Sequence, residues 1–267
     1  MAEPFVALVT GASSGIGEAT ARRLAREPDA RLILVARRED RLRQLAGELG
    51  GATVIAQDLV DAEAAERVRE VVEREHGQLH LLVNNAGGSW RASFAEEGWA
   101  NVERHMKLNF EAPLRLTEAL LPLLRATART QGRRVSVVNV ASTAGRVSRP
   151  RAGAYSASKF ALAGWSDALY AEERPHGVHV GLVLPGFVVT EGFPARELRA
   201  NPLTRWIVSK PEVVADAIVA AGPGGKPERY VPRAYWLAAA LRILVGPLVR
   251  RVVSGGSLTT SVGTNRD

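Results

Sequence analysis

The sequence predicts a single α/β domain built on an open, doubly wound parallel sheet that is flanked by helices. Short apolar runs rich in Val, Leu and Ile alternate with longer amphipathic stretches up to about residue 231. The runs show little polar alternation, which is typical of parallel strands buried on both faces. The repeated strand–helix–strand order implies right-handed crossovers and a layered sheet.

The individual elements follow from these runs in chain order. Six strands are predicted at residues 5–10, 31–36, 53–57, 79–84, 134–140 and 178–184. Helical patterns lie near residues 15–26, 38–49, 61–76, 100–128, 152–174 and 211–221. Asp61 is a good N-cap candidate, and Pro211 suits a first helical position. No segment before residue 231 resembles a linker, so we expect residues 1–232 to form one domain.

Three later regions depart from the alternation. Residues 186–210 form a long connection without clear periodicity, and such loops often carry function. Residues 233–253 are an apolar and basic extension, with helix character expected up to Gly246. We expect this extension to pack on the substrate cleft or on a partner subunit; contact with an anionic membrane surface and plain core packing are the alternatives. Residues 254–267 have the composition of a disordered tail.

The composition excludes several function classes. The 267 residues contain no Cys, which rules out a disulfide scaffold, a Cys-ligated zinc site and a thiol nucleophile. The net charge is +7, but residues 199–267, with 10 basic and 4 acidic side chains, contribute +6 of it. No basic face therefore extends over the whole fold, and we expect no nucleic-acid partner. No secretory signal or run of about 18–20 apolar residues is present, so a cytoplasmic location is expected.

A glycine-rich turn joins the first predicted strand to the first helix. Its sequence is Gly11-Ala12-Ser13-Ser14-Gly15-Ile16-Gly17. The glycines allow a tight turn and let the backbone approach a pyrophosphate at a helix N-terminus. The spacing differs from the standard dinucleotide fingerprint, and a turn without a ligand is the alternative. The position between strand and helix favours a dinucleotide.

Two arginines follow the second strand, in the segment Ala36-Arg37-Arg38. Enzymes that select NAD usually place a carboxylate near this point, whereas an Arg accommodates the 2′-phosphate of NADP. No carboxylate occurs before Glu39. We favour Arg37 as the phosphate ligand, because it lies directly at the strand end; for Arg38 a solvated helix start is a serious competitor.

The segment Tyr155-Ser156-Ala157-Ser158-Lys159 opens a predicted helix. Positions four apart share a helical face, so the phenol and the ammonium group can point into one cleft. A nearby cation lowers the pKa of a Tyr and suits it to acid–base work near neutral pH. Ser142, at the end of the fifth strand, could donate a hydrogen bond to a substrate oxygen. A lone Tyr-x3-Lys is more often an ordinary surface pair.

In combination these segments resemble the classical short-chain dehydrogenases/reductases. The resemblance spans residues 5 to about 231 and rests on motifs in the family's order and spacing: Thr10 to Gly17, Asn84-Asn85-Ala86-Gly87, Asn109, Ser142, Tyr155-x3-Lys159 and Pro185-Gly186. It implies a Rossmann-type sheet of about seven strands, the last near residues 229–231. The active site would lie at the carboxyl ends of the strands, where open α/β sheets bind ligands.

The resemblance also implies a role for four catalytic candidates. Tyr155 would be the general acid that protonates the carbonyl oxygen as hydride arrives, or the base in the reverse direction. Lys159 would hold the nicotinamide ribose and lower the pKa of Tyr155. Ser142 would polarise the carbonyl, and Asn109 would hold a water that connects Lys159 to solvent.

Further cofactor contacts are implied in three loops. Asp58 and Leu59 would contact the adenine. The other residues would line the cofactor beyond the fourth strand or flank the nicotinamide; they are Asn85, Ala86, Gly87, Pro185, Gly186, Val188 and Thr190.

The predicted function is therefore an NADP(H)-dependent oxidoreductase that acts on a carbonyl or secondary alcohol. An apolar substrate is favoured because four aromatic residues fall in loops that should border the site: Trp90, Phe187, Phe193 and Trp206. The alternative is a non-catalytic dinucleotide sensor, or a nucleic-acid-binding protein that uses the basic C-terminal quarter.

Two further expectations concern partners and charged pairs. The family usually pairs through the helices that correspond to 100–128 and 152–174, so a homo-dimer or homo-tetramer is expected. His76 and His80 do not share a face, and no metal site is expected. The pairs Glu96-Glu97 and Glu172-Glu173 are expected to be solvated.

Overall fold

The computed structural model describes residues 4–130, 132–191 and 207–255, with side chains up to residue 252. Its strands are β1 (Phe5–Thr10), β2 (Ala30–Ala36), β3 (Thr53–Ala56), β4 (Leu81–Asn84), β5 (Val135–Val140), β6 (Val178–Pro185), β7 (Phe187–Val188), β8 (Val208–Ser209) and β9 (Glu228–Val231). Seven of them form one parallel sheet in the order β3-β2-β1-β4-β5-β6-β9, and β7 pairs with β8 separately. The predicted doubly wound fold is confirmed.

Helices cover both faces of this sheet. They are α1 (Gly15–Leu24), α2 (Glu39–Glu48), α3 (Ala64–His76), α4 (Phe94–Met106), α5 (Ala112–Arg129), α6 (Gly153–Glu173), α7 (Pro211–Ala221), α8 (Tyr235–Leu244) and α9 (Gly246–Gly255). Successive β1 side chains point to opposite faces, so Ala7 and Val9 join the core under α1, α2 and α7, whereas Val6 and Leu8 join the core under α3, α5 and α6. Both cores are fully buried, which explains the continuous apolar runs of the strands.

The predicted helix over residues 100–128 is wrong in its continuity. Helix α4 starts at a capping box of Ser93 and Glu96 but is kinked at Gly98, whose φ and ψ of 53° and −140° are not helical, so the regular helix begins close to the predicted residue 100. The backbone then passes through a π-helical turn, Lys107–Glu111, before α5 begins. Such single π turns often occur at functional sites, and this one carries Asn109.

Two polar residues differ from their expected roles. Asp61 is not an N-cap residue: helix α3 begins only at Ala64, and the Asp61 carboxylate accepts a hydrogen bond from Gln57 at 2.9 Å. Glu173 is not solvated. Its carboxylate is almost fully buried and accepts two hydrogen bonds from Arg125, at 2.8 and 2.6 Å, which tie α5 to α6.

The C-terminal extension forms two helices with a break at Val245, one residue before the Gly246 at which the sequence predicts the end of the helix character. Tyr235 begins α8 and lies directly on Gly186: a Cβ added there would be 2.3 Å from the Tyr235 ring. The Tyr235 hydroxyl donates to the Ile207 carbonyl at 3.3 Å. The extension therefore packs at the carboxyl end of β6. Among the described residues, no helix is both long and apolar enough to cross a membrane.

Candidate active site

The glycine-rich turn presents backbone to the space above the sheet. Gly11 and Gly15 have positive φ angles of 66° and 58°, which side chains rarely tolerate. At Gly17 a Cβ would lie 2.1 Å from the Gly11 carbonyl oxygen, so helix and turn approach each other as closely as glycine permits. Ser14 makes no side-chain cap to α1, which leaves first-turn N–H groups for an anion. This cradle fits a dinucleotide pyrophosphate.

Thr10 fastens this turn to the loop after β4. Its hydroxyl donates to the Val83 carbonyl at 3.1 Å and accepts from the backbone N–H groups of Asn85 and Ala86, both at 2.9 Å. The Asn85 side chain returns a hydrogen bond to the Thr10 carbonyl at 2.9 Å. Two of the loops predicted to hold the cofactor are thereby locked together.

The two arginines after β2 have different surroundings. Arg37 is 74% exposed and lies 3.6 Å from the carboxylate of Asp58, the predicted adenine contact. Arg38 crosses the glycine-rich turn, where it donates to the Ser13 hydroxyl and carbonyl, both at 3.3 Å, and it pairs with Glu191 at 3.2 Å. Arg38 is the exposed N-cap residue of α2, as the alternative expected, and its guanidinium also lies against the glycine-rich turn.

The segment from Pro185 to Thr190 approaches the same turn from the other side. The Thr190 methyl group lies 3.1 Å from the position of a Cβ on Gly15. Val188 is buried and pairs with Ser209 in the small sheet. Leu59 is partly buried and packs against the core under α3, α5 and α6. Phe193 and Trp206 lie outside the described residues.

Ser142 and Tyr155 meet at the carboxyl end of β5. The Ser142 hydroxyl accepts from the Ala144 N–H at 3.1 Å and donates to the Pro185 carbonyl at 3.3 Å. The Ser142 side chain also acts on the Tyr155 phenol. Burial raises the pKa of Tyr155, and this effect outweighs the lowering by the Ser142 hydrogen bond and by the charge of Arg149. The pKa of Tyr155 is therefore raised overall, opposite to the direction that the sequence predicts, although the nearby cation, Arg149, acts in the expected direction.

Lys159 lies one helical turn after Tyr155 and is almost fully buried. Its ammonium group donates to the Val140 carbonyl at 2.9 Å and lies 6.0 Å from the centre of the Tyr155 ring. Burial lowers the pKa of Lys159 to about 8. The two side chains share one side of α6, as their spacing predicts.

Asn109 reaches the same place from the π turn. Its side chain forms two hydrogen bonds of 2.9 Å with the backbone of Gly88, one as acceptor and one as donor, and donates to Ser158 at 3.2 Å. A Cβ on Gly87 would lie 2.9 Å from the Asn109 amide oxygen and 3.5 Å from the Lys159 ammonium group. The four catalytic candidates therefore converge beside the predicted cofactor loop.

Sequence reasoning missed two residues beside Tyr155. His105 is buried and accepts a hydrogen bond from the Trp90 N–H at 3.0 Å, while its ring stands edge-on to Tyr155 at 6.0 Å. Burial lowers the pKa of His105. Arg149 lies over the Phe187 ring at 4.6 Å. Neither belongs to a recognisable motif, because each acts through contacts with distant segments.

A buried amide network supports this arrangement from below. Asn84 donates to Asn139 at 2.8 Å and to Thr117 at 2.9 Å, and Asn139 donates to Ser166 at 2.9 Å. It joins β4 and β5 to the helices that carry Tyr155 and follow Asn109. No group of three potential metal ligands occurs among the described residues.

Comparison with known proteins identifies the family. A family model described as short chain dehydrogenase matches residues 5–200. The chain belongs to the short-chain dehydrogenase family. It is thus an oxidoreductase of a family that binds nicotinamide cofactors, as the motifs implied.

Individual relatives of this short-chain dehydrogenase are similar over most of its length. A Streptomyces coelicolor protein provisionally named a ketoacyl reductase is 38% identical over 252 residues, which are 91% of this chain and 90% of that protein. A fatty acyl-CoA reductase of Mycobacterium tuberculosis is 38% identical over 219 residues, 76% and 71% of the two chains. The structure of Pseudomonas aeruginosa RhlG in a complex with NADP superimposes with a TM-score of 0.75 at 30% identity, covering 85% and 93% of the two chains.

Proposed function

We propose that the protein is an NADPH-dependent carbonyl reductase whose general acid is Tyr155. The observation that carries this proposal is the convergence of Ser142, Tyr155, Lys159 and Asn109 at the carboxyl ends of the strands. A dinucleotide sensor would have no need of a buried ammonium group 6.0 Å from the ring of a phenol.

The residues that would hold the cofactor run from the glycine-rich turn to the Pro185–Thr190 segment. The turn's N–H groups would receive the pyrophosphate, and Arg37 and Arg38 supply positive charge for a 2′-phosphate. Bound in its reduced form, the nicotinamide supplies the hydride. The cradle of Gly11, Gly15 and Gly17 supports this assignment.

Proton delivery is the task of the protein's own side chains. Because burial raises the pKa of Tyr155, its phenol is protonated at neutral pH and ready to donate to a carbonyl oxygen. Ser142 would donate a second hydrogen bond to that oxygen. Lys159, with a pKa of about 8, stabilises the phenolate that remains, and Asn109 would connect it to solvent.

We infer an apolar, acyl-type carbonyl substrate. The Trp90 ring contacts His105, whose own ring stands edge-on to Tyr155. The Phe187 ring contacts Arg149, whose charge acts on Tyr155. The names of the two relatives, a ketoacyl reductase and a fatty acyl-CoA reductase, agree with this class.

The decisive experiment replaces Tyr155 with Phe. This change removes one hydroxyl and keeps the ring, so we expect turnover of a 3-oxoacyl thioester with NADPH to fall at least ~10²-fold while NADPH still binds. Tyr170→Phe is the matched control on the same helix, outside the site. Near-normal turnover by the Tyr155 variant would contradict the assignment. NADPH binding without turnover of any carbonyl by the native protein would favour the sensor.

Assembly into a homo-oligomer is a further part of the proposal. A groove of about 400 Å³ runs between α5 and α6, lined by apolar side chains that include Leu121, Trp165 and Leu169. These helices correspond to the family's usual pairing face, so a second copy of the chain is the proposed occupant. Light scattering would report the mass in solution, and a Trp165→Glu variant should lower it. A cytoplasmic location also stays a prediction.

A further inference from the structure

The largest group of exposed apolar side chains lies on the two C-terminal helices. Thirteen large apolar side chains are exposed in the part of the chain that the structure describes, and eight of them belong to residues 236–252. Ile243 and Leu244 are the most exposed of all thirteen, at 82% and 78%. A contiguous exposed apolar surface usually marks a contact with a partner or a membrane. We call these eight side chains the C-terminal surface.

Helix α8 presents one side to the protein and the other to the outside. Leu237, Leu241 and Leu244 follow one another at spacings of four and three residues, so they share a face, and all three are exposed. Ala239, on the other side of the helix, is buried, and Tyr235 lies on Gly186. The helix is therefore anchored by its inner side, while its outer side is apolar.

Helix α9 continues this pattern over a short length. Leu248 and Val252 are four residues apart, share a face and are exposed. Each of the two helices has ten residues, which gives a length of about 15 Å against a hydrocarbon core of about 30 Å. Short helices with an apolar outer face can lie in the plane of a membrane surface, with that face at the boundary of headgroups and acyl chains.

The charge of this segment indicates the kind of surface that it fits. Residues 229–266 contain six arginines and no Asp or Glu. Arg251 already interacts within the protein, whereas Arg233 and Arg250 are exposed beside the apolar side chains. Basic residues that flank an apolar helix face attract the phosphates of anionic lipids. A second copy of the chain fits less well, because a two-fold contact would bring the same cations together.

We propose that the C-terminal surface binds an anionic phospholipid membrane, with α8 and α9 lying in the plane of the bilayer surface. Trp236, at the start of α8, is 57% exposed and has the side chain that is most suited to the membrane–water boundary. Because Tyr235 lies on Gly186, binding brings the membrane close to the carboxyl end of β6.

Sedimentation of the full-length protein with lipid vesicles tests the proposal. We expect the protein to bind vesicles of phosphatidylglycerol, and to bind neutral phosphatidylcholine vesicles at least ~10-fold more weakly, since two arginines near an anionic surface together contribute more than this factor. Added salt should weaken binding to the anionic vesicles. This readout needs no turnover, so failure of the membrane contact and failure of the proposed reaction are separate results.

The variant Leu244→Ser/Leu248→Ser removes one exposed side chain from each helix. We expect its partition coefficient on phosphatidylglycerol vesicles to fall at least ~10-fold, because burial of even one such side chain is worth about this factor. The control Val60→Ser/Val213→Ser removes two other exposed side chains, 45% and 51% exposed, and should bind like the native protein. Circular dichroism checks that both variants fold.

Fluorescence quenching by brominated lipid reports which tryptophan enters the bilayer. With brominated phosphatidylcholine mixed into the phosphatidylglycerol vesicles, Trp236→Phe should remove most of the quenching. Trp99→Phe is the matched control, because Trp99 is 68% exposed but lies on α4, and it should keep the native quenching. A variant that only disturbed folding would not separate these two tryptophans.

Two results would overturn the proposal. One is a native protein that does not bind phosphatidylglycerol vesicles. The other is equal vesicle binding by the Leu244/Leu248 variant and the native protein. If the native protein bound no vesicles and that variant had a lower mass by light scattering, the C-terminal surface would instead pair with a second copy of the chain.

Discussion

The two ends of the cleft are built in different ways. At the cofactor end, the groups that would contact the cofactor are backbone groups from a few consecutive residues. Thr10 joins two such segments through four hydrogen bonds of about 3 Å. At the substrate end, side chains from distant segments meet: His105 contacts Trp90, Arg149 contacts Phe187, and Tyr235 covers Gly186. Local motifs determine the first end, and tertiary packing determines the second.

The largest effect is expected at Gly17, where the glycine-rich turn has no room for a side chain. In a Gly17→Ala variant the new methyl group would lie 2.1 Å from the Gly11 carbonyl oxygen. The turn must shift to relieve this overlap, and we expect NADPH affinity to fall ~10²-fold at a structural cost of about 1–3 kcal/mol. Fluorescence titration with NADPH measures the change. Gly47→Ala is the control, because nothing lies within 4 Å of its Cβ position. An equal loss of NADPH affinity in the Gly47 variant would show that the overlap at Gly17 is not the cause.

The second-largest effect is expected on the preference for NADPH over NADH. Arg37→Asp places a carboxylate where a 2′-hydroxyl could donate, so the preference for NADPH over NADH should fall roughly 10–100-fold. Because Arg38 is held by Ser13 and Glu191, Arg38→Ser should lower the preference by less, about 10-fold. Ratios of kcat/KM with the two cofactors provide the measurement. A native enzyme that already favours NADH would refute both assignments.

The difference between the two ends also explains how much the sequence could predict. The sheet follows from runs such as Leu32–Val35, which are apolar throughout because both faces are buried. Ser142, Tyr155 and Lys159 were predictable from the order and spacing of the whole set of motifs, since a lone Tyr-x3-Lys is more often a surface pair. The π turn at Asn109 was not, since it depends on hydrogen bonds with Gly88, 21 residues away.

The pH dependence of the two reaction directions tests whether Tyr155 is the general acid and base. The pKa of Tyr155 is raised by burial, so the phenol that reduction requires is present throughout pH 6–8. Alcohol oxidation requires the phenolate, whose fraction rises with pH below that pKa. We therefore expect kcat/KM for reduction to be flat over this range, and kcat/KM for oxidation to rise about 10-fold per pH unit. Flat profiles in both directions would mean that Tyr155 is not the group that transfers the proton.

The smallest effect, confined to the substrate end, is expected at His105. Its ring accepts from the Trp90 N–H at 3.0 Å and contacts the Asn101 carbonyl at 2.8 Å, so His105→Phe removes the hydrogen-bond partner of the Trp90 N–H and one contact of the Asn101 carbonyl. We expect a stability loss of about 1–3 kcal/mol and a KM for the carbonyl substrate raised about 3–10-fold, because Trp90 and the Tyr155 ring lose their support. The dissociation constant of NADPH should not change. His105→Gln, whose amide can donate and accept, should recover part of the KM effect. A Phe variant that weakened NADPH binding as much as substrate binding would show that the two ends of the cleft are not independent.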